Sequence, residues 1–317
     1  MRAPEKAARL REREYLKSPH QSAALLPDRS AAIAGIACGI GAAVFWAVGF
    51  VAARHGIAAG FSPADIVLHR FVWAGLAFLP LIVREGFADL GSVGWRRGVL
   101  LTLIGGPPFS HLSYAGFLLV PLAHGAVIQP SCAAIGGLVL ATLVLKEKLP
   151  LQRAAGAAVI VVGLCVIGGE ALATIGTHGL LGDLAFASAG LLFATFSILL
   201  RLWQIAPMRA VAVTSVVALI DLPIYWLAFG FERMIALGLV ENLIQAVTQG
   251  IFSGAGAVYL FTRSVLMLGA GRATVFAALV PGFTLLIGFL ALGELPTVGD
   301  LAGFAIVLIG FRLTQKV

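Results

Sequence analysis

Long apolar stretches separated by short polar segments run along most of the chain. The stretch 98–145 contains no Asp, Glu, Lys or Arg, and it is longer than the roughly 20 apolar residues that one membrane helix needs. It must therefore fold back, and we place the turn at 120–123. The same criterion predicts ten spans, at 31–53, 66–83, 98–119, 124–145, 152–169, 180–200, 210–229, 242–265, 272–292 and 298–314.

The composition supports a chain that lies in a membrane. Of 317 residues, 60% are hydrophobic and only 12% are charged, whereas a soluble domain carries about 25% charged residues. A soluble enzyme, a disordered chain and a disulfide scaffold are thereby excluded. Cys38, Cys132 and Cys165 lie inside apolar runs without paired spacing, which indicates small buried side chains rather than a metal or redox site. The predicted fold class is an all-α integral membrane protein.

Positive charges predict the orientation of the spans. Residues 1–30 form a charged segment that we interpret as a cytoplasmic tail, since cytoplasmic loops carry an excess of Lys and Arg. With this tail inside, only Arg54 and Arg233 of the loop cations fall on the outer side. The chain is then a multi-pass protein of the inner (plasma) membrane with both termini cytoplasmic. The net charge of +7 reflects this orientation, and no nucleic-acid partner is expected.

The chain also repeats itself. An offset of 147 residues brings Arg54 onto Arg201 and Glu147 onto Glu294. Two five-helix repeats follow, at 31–170 and 180–317, and the odd number of spans in each predicts inverted orientations. Inverted repeats recur in secondary transporters, whose substrates bind near the midplane between the halves. A channel or a membrane enzyme can also be duplicated, so the repeat favours transport without establishing it.

Two glycine pairs follow the same offset. Gly156 and Gly163 fall on Gly303 and Gly310, and seven residues are close to two helical turns. Each pair therefore lies on one helix face, where small residues permit close backbone approach. We predict that these glycines line tight helix contacts rather than the substrate path.

Several motifs together resemble a known family. They are the run 41–54 around Trp46, the triplet His69-Arg70-Phe71, and the elements Lys146-Glu147-Lys148 and Gly293-Glu294-Leu295, each followed by the spaced glycines. This pattern resembles the drug/metabolite transporter superfamily, EamA type. The resemblance implies ten helices, two EamA repeats, cytoplasmic termini and transport of small metabolites, often efflux. The proline usual in the fourth helix stands at Pro281, whereas the first half has Pro130 one turn early, so no cavity geometry is carried over.

Polar and aromatic residues inside spans are candidates for a substrate cavity, because polarity at membrane depth is costly. Tyr259 and Arg263 share a helix face and could hold a substrate carboxylate, although Arg263 could instead extend to the headgroups. His111 and Tyr114 follow the run 105–108, Gly-Gly-Pro-Pro, which cannot be a regular helix interior. The full set of cavity candidates is Trp46, His111, Tyr114, Gln129, Tyr259 and Arg263.

Each candidate also has a purely structural alternative. Trp46 could fill space between helices, and Gln129 could form an interhelical hydrogen bond. His69 and Arg70 could attract anions or anchor the second span at the interface. Asp221 is a candidate proton carrier, or it forms a structural bond to a neighbouring helix.

The predicted function is secondary transport of a small metabolite or drug-like solute by alternating access, with efflux as the direction. A passive channel or a non-transporting membrane subunit is the alternative, followed by a membrane enzyme acting on lipid-linked substrates. The sequence contains no Gly-x-Ser-x-Gly, His-Glu-x-x-His or Walker element, so neither enzyme activity nor a cofactor is predicted. The expected partners are the solute and the bilayer, and a homodimer is left open.

Overall fold

The computed structural model describes residues 29–146, 151–173, 179–268, 276 and 279–314. Within these ranges the chain is helical and contains no strand, which confirms the all-α prediction. The α-helices are α1 (Arg29–Ala59), α2 (Pro63–Gly86), α3 (Trp95–Gly105), α4 (Pro107–Gly116), α5 (Leu122–Val144), α6 (Leu151–Ala173), α7 (Gly179–Trp203), α8 (Pro207–Val217), α9 (Asp221–Phe229), α10 (Glu232–Gln245), α11 (Ala257–Leu268), α12 (Val280–Leu292) and α13 (Val298–Thr314).

Six helical segments are long and apolar enough to cross a membrane. Three shorter apolar helices, Ala154–Gly163, Val280–Leu292 and Val298–Gly310, accompany them in the described part of the chain. The prediction of ten crossings therefore stays a prediction, and most of the predicted tail lies outside the described residues. The six long segments are Ser30–Ala59, Pro63–Asp89, Leu122–Val144, Gly179–Trp203, Pro207–Phe229 and Glu232–Leu268.

The predicted break at 105–108 is confirmed. Gly106 has φ −100° and ψ −137°, which separates α3 from α4. Pro107 then occupies the first position of α4, where its missing N–H costs nothing. This break sets the direction of α4, which carries His111 and Tyr114.

A second break lies inside α10. Gly238 has φ 84° and ψ 167°, a left-handed-side conformation that glycine adopts without steric cost. The Asn242 side-chain amide donates to the carbonyls of Met234 at 2.6 Å and Gly238 at 2.7 Å. These bonds satisfy carbonyls that the broken helix leaves free.

The start of α2 is fixed by a capping box. Ser62 Oγ accepts from the Asp65 amide at 3.3 Å, and the Asp65 carboxylate accepts from the Ser62 amide at 2.7 Å. The buried Asp65 carboxylate also accepts from the Tyr225 hydroxyl and lies 3.7 Å from Arg233 Nη1. One carboxylate thus joins the start of α2 to α9 and α10.

The helices α6 and α13 pack through glycines. A Cβ atom at Gly163 would lie 2.8 Å from the Gly303 carbonyl oxygen, and one at Gly310 would lie 2.8 Å from the Gly156 carbonyl oxygen. Such distances leave no room for a side chain. The prediction that these four glycines line a tight helix contact is confirmed.

Candidate functional site

A stripe of polar side chains runs along one face of α10 and the segment after it. Its members, Glu241, Gln245, Gln249 and Ser253, are spaced by four residues, and we call them the polar ladder. The ladder faces α1, where Gln245 Nε2 donates to the Ala52 carbonyl at 2.9 Å and Gln249 Nε2 donates to the Gly49 carbonyl at 2.7 Å. Glu241 Oε2 lies 2.9 Å from His55 Nε2.

Two buried glutamine amides thus reach main-chain carbonyls of the opposing helix. A carbonyl that accepts a helical hydrogen bond keeps a second lone pair for such a donor. The approach depends on a glycine, because a Cβ atom at Gly49 would lie 2.4 Å from Ser253 Oγ.

The second half of the ladder, Gln249 and Ser253, lies in a π-helix, Ala246–Gly256, between α10 and α11. Such segments are rare and frequently mark functional sites, because the wider turn displaces side chains from the α-helical positions. Small residues let other helices approach it closely. A Cβ atom at Gly250 would lie 2.4 Å from the Cβ of Trp73, which belongs to α2. The π-helix therefore packs between α1 and α2.

The first half of the chain supplies the remaining members of the site. The Tyr114 hydroxyl, on α4, donates to Gln249 Oε1 at 2.8 Å. Arg70 Nη1, on α2, donates to Ser253 Oγ at 2.9 Å, and the guanidinium also interacts with the Tyr114 hydroxyl. Tyr114, Gln249 and Ser253 are buried, whereas Arg70 keeps part of its surface accessible. The site can therefore offer a cation that is supported by neutral buried partners.

Of the six predicted cavity residues, the structure brings Tyr114 into this network. His111, one turn earlier on α4, is exposed, and its Nδ1 lies 3.0 Å from the Pro107 carbonyl oxygen. Trp46 is half-buried, with its ring centroid 5.5 Å from that of Phe261. Gln129 is buried in α5, and its Oε1 has no hydrogen-bond partner among the described residues.

The other predicted residues lie apart from the polar ladder. Tyr259 is 49% exposed, and Arg263, one turn further along α11, is exposed as well. One carboxylate oxygen of Asp221 is buried without a hydrogen-bond partner within the described ranges. The Asp221 carboxylate interacts electrostatically with His111, so the candidate proton carrier faces a second titratable group.

Sequence reasoning missed Gln245, Gln249 and Ser253. The signal was available, because three polar residues at intervals of four stand on one face of the predicted span 242–265, and Glu241 directly precedes it at the same interval. Arg70 was considered only as an anion attractor or an interface anchor. Its contact with Ser253 could not be foreseen, since 183 residues separate the two.

Among the described residues, five pairs of a basic and an acidic side chain join residues 31–170 to residues 180–317. The shortest runs from Arg54 Nε to Glu294 Oε1 at 2.7 Å, and Arg54 Nη1 also donates to the Phe117 carbonyl at 2.8 Å. Glu147, the counterpart of Glu294 under the 147-residue offset, lies outside the described residues. The five pairs are Arg54–Glu294, His55–Glu241, His124–Asp183, Arg209–Glu85 and Arg233–Asp65.

Six helical segments that are long and apolar enough to cross a membrane, with a polar network buried among them, are typical of a multi-pass membrane protein. The model of the EamA-like transporter family matches residues 33–169 and again residues 180–314. The chain belongs to this family.

One relative agrees with the assignment, and one solved structure shares the fold. An uncharacterized transporter from Archaeoglobus fulgidus is 27% identical over 280 residues, which cover 86% of this chain and 95% of the relative. A crystal structure of a protein superimposes with a TM-score of 0.63 over 90% of this chain and 98% of its own, at 18% identity. The second likeness concerns the fold alone.

Proposed function

We propose that the protein is a secondary transporter that moves a small metabolite or drug-like solute by alternating access. The observation that carries the proposal is the buried network of the polar ladder, Tyr114 and Arg70, which lies between the two halves of the chain. Polar groups in a membrane interior are costly unless they are hydrogen-bonded, and those that are present there usually serve binding or transport. A polar contact of this kind can be exchanged for bonds to a solute.

Ten spans in two inverted five-helix repeats are part of the proposal. The glycine contacts support it, because Gly163 against Gly303 and Gly310 against Gly156 are related by the 147-residue offset. The family model also matches two successive segments. Reporter fusions after Gly60, Thr177 and Leu237 should all report the outer side of the plasma membrane. A cytoplasmic signal after Thr177 would contradict the inverted arrangement and the cytoplasmic termini.

Transport is tested in two steps, first by finding a ligand and then by measuring its movement. A thermal-shift screen of the purified protein with amino acids, nucleosides, polyamines and drugs identifies a ligand, because binding to the folded state raises the melting temperature. Gradient-driven movement of that ligand is then measured in proteoliposomes, in both directions, to test efflux. A passive channel would equilibrate the ligand without accumulating it, and an enzyme would convert it.

The variant pair for this assay is Gln249→Leu and Thr284→Val. Gln249 bonds to Tyr114 and to Gly49, whereas the buried Thr284 hydroxyl donates to the Val280 carbonyl of its own helix. Transport should be lost in Gln249→Leu and kept in Thr284→Val. Equal transport by both variants at matched expression would remove the polar ladder from the transport path.

The proposal also keeps the remaining cavity candidates, which are Trp46, His111, Gln129, Tyr259 and Arg263. If Arg263 binds a substrate anion, Arg263→Lys should transport poorly, since Lys lacks the planar fork. Full activity in Arg263→Lys and Arg263→Ala would exclude this role.

Asp221 is proposed as the proton carrier because its carboxylate interacts electrostatically with His111 and has a buried oxygen without a hydrogen-bond partner among the described residues. Asp221→Asn should abolish accumulation driven by a proton gradient and leave exchange of labelled for unlabelled solute intact. Loss of both activities would indicate a structural role instead. A homodimer is an additional proposal, tested by the mass of the purified protein in detergent.

A further inference from the structure

Arg70 differs from several arginines of the described residues that pair with a carboxylate. Arg54, Arg209 and Arg233 each lie near a carboxylate, at 2.7, 3.3 and 3.7 Å respectively. Arg70 lies in the candidate span Pro63–Asp89, and its partners in the described structure, Ser253 and Tyr114, are both neutral hydroxyl groups. Its positive charge is therefore not compensated by an acidic side chain of the described chain.

An uncompensated charge at this position needs a physical reason. A charged side chain inside a membrane span is costly, and Arg70 is the eighth residue of the span Pro63–Asp89. Arginines near a helix end reduce that cost by extending toward the headgroups. Arg70 does not extend in this way, because its Nη1 atom donates to Ser253 Oγ on the π-helix.

The surroundings hold the guanidinium in place. The Tyr114 hydroxyl, which interacts with Arg70, donates a hydrogen bond to Gln249 Oε1. Gln249 is fixed in turn, because its Nε2 donates to the Gly49 carbonyl. Ser253 is held against α1 by the close approach of Gly49. These buried partners restrict the side chain without neutralising it, so little conformational freedom is lost when a ligand binds.

The guanidinium also keeps donors for a ligand. Arginine carries five N–H donors in a planar fork, and the contacts above use donors toward two groups, the Ser253 and Tyr114 hydroxyls. A carboxylate accepts two parallel hydrogen bonds from such a fork and supplies the missing charge. A neutral amide of the same shape accepts fewer bonds and brings no charge.

We propose that Arg70, positioned by Ser253 and Tyr114, binds a carboxylate group, so that the ligands of this protein are small organic acids or other solutes with a free carboxylate. As a statement about transport, this inference rests on the proposed function. As a statement about binding, it stands without it.

The experiment compares carboxylates with their neutral amides on the purified full chain. Acetate, benzoate, phenylacetate and succinate are titrated against acetamide, benzamide, phenylacetamide and succinamide, and the melting temperature is recorded. At least one acid should stabilise the wild-type protein more than its amide does. The apparent Kd of that acid should rise about 10- to 100-fold in Arg70→Gln, as expected for lost hydrogen bonds to a charged group.

Matched variants separate binding from folding. Arg84→Gln removes an exposed arginine from the same helix and should keep the wild-type affinity. Arg70→Lys keeps a charge without the fork and should bind with intermediate affinity. If Arg70→Gln does not fold, Ser253→Ala serves in its place, because it keeps the guanidinium and removes its support; the Kd should then rise by a smaller factor.

Three outcomes overturn the inference. They are an absence of any preference for acid over amide in the wild type, an unchanged Kd in Arg70→Gln, and a loss of affinity confined to Arg263→Gln. Transport is then measured separately with the radiolabelled acid in proteoliposomes. Arg70-dependent binding without movement would leave the carboxylate site standing and refute the proposed transport.

Discussion

Two helix contacts in this molecule are both tight but depend on different chemistry. Between α6 and α13, glycines bring one backbone against the other, and the nearest atoms are apolar side chains and the carbonyls of Gly156 and Gly303. Between α1 and the π-helix, a glycine also permits close approach, but glutamine side chains bridge the gap with hydrogen bonds.

The two contacts differ in whether another partner can replace the one seen in the structure. Helices that meet through small residues in a membrane associate by van der Waals packing. No other partner has the matching shape that would replace such a contact. A side-chain amide can exchange its carbonyl partner for a water molecule or a solute at little net cost. The contact of α6 with α13 therefore suits a fixed framework, and the contact of α1 with the polar ladder suits a surface that moves or binds.

The largest expected effect follows from filling the glycine contact. Gly310→Leu places a Cβ atom 2.6 Å from Ile160 Cγ1 and 2.8 Å from the Gly156 carbonyl oxygen, so the two helices must separate. Overpacking costs about 1–3 kcal/mol or more, and we expect little folded protein by size-exclusion chromatography. Gly137→Leu is the control, because a Cβ atom there meets nothing within 4 Å. Equal yields would show that the contact of α6 with α13 can adapt.

A smaller effect is expected in the polar contact. Gln249→Ala leaves the Tyr114 hydroxyl and the Gly49 carbonyl without their partner, which should cost about 1–3 kcal/mol. In a double-mutant cycle with Tyr114→Phe, the coupling should be about 0.5–1.5 kcal/mol, measured from thermal unfolding in detergent. Additive effects would mean that Tyr114 and Gln249 do not act together.

The ion pair of Arg54 and Glu294 should contribute less. Their side chains are 27% and 32% exposed, so solvent and salt weaken the attraction. A double-mutant cycle of Arg54→Ala and Glu294→Ala should give a coupling of about 1 kcal/mol or less, which decreases as salt is added. A coupling that did not change with salt would contradict a solvent-screened ion pair.

The smallest effect on stability is expected at Tyr259. Its side chain is 49% exposed, and surface substitutions usually change stability by less than about 0.5 kcal/mol. Tyr259→Phe should leave the melting temperature unchanged. Reduced transport with unchanged stability would support Tyr259 as a cavity residue, whereas a large loss of stability would show that the hydroxyl has a structural partner.

The sequence by itself determined the helical segments, the break before α4 and the glycine faces of α6 and α13. Each of these depends on neighbours in the chain: apolar length, the missing amide of Pro107, and a spacing of seven residues. Such properties are local, and their physical cause lies within one helix.

The tertiary structure decided which polar residues meet. Tyr114 and Gln249 are 135 residues apart, and Arg70 and Ser253 are 183 apart. Periodicity places each of them on a face of its own helix but does not say which helix that face meets. Tyr259 and Arg263 looked equally suitable in the sequence and lie exposed on α11. Only the packing of α1, α2 and α4 around the π-helix brings Arg70 to Ser253. The same packing leaves the guanidinium without an acidic partner among the described residues.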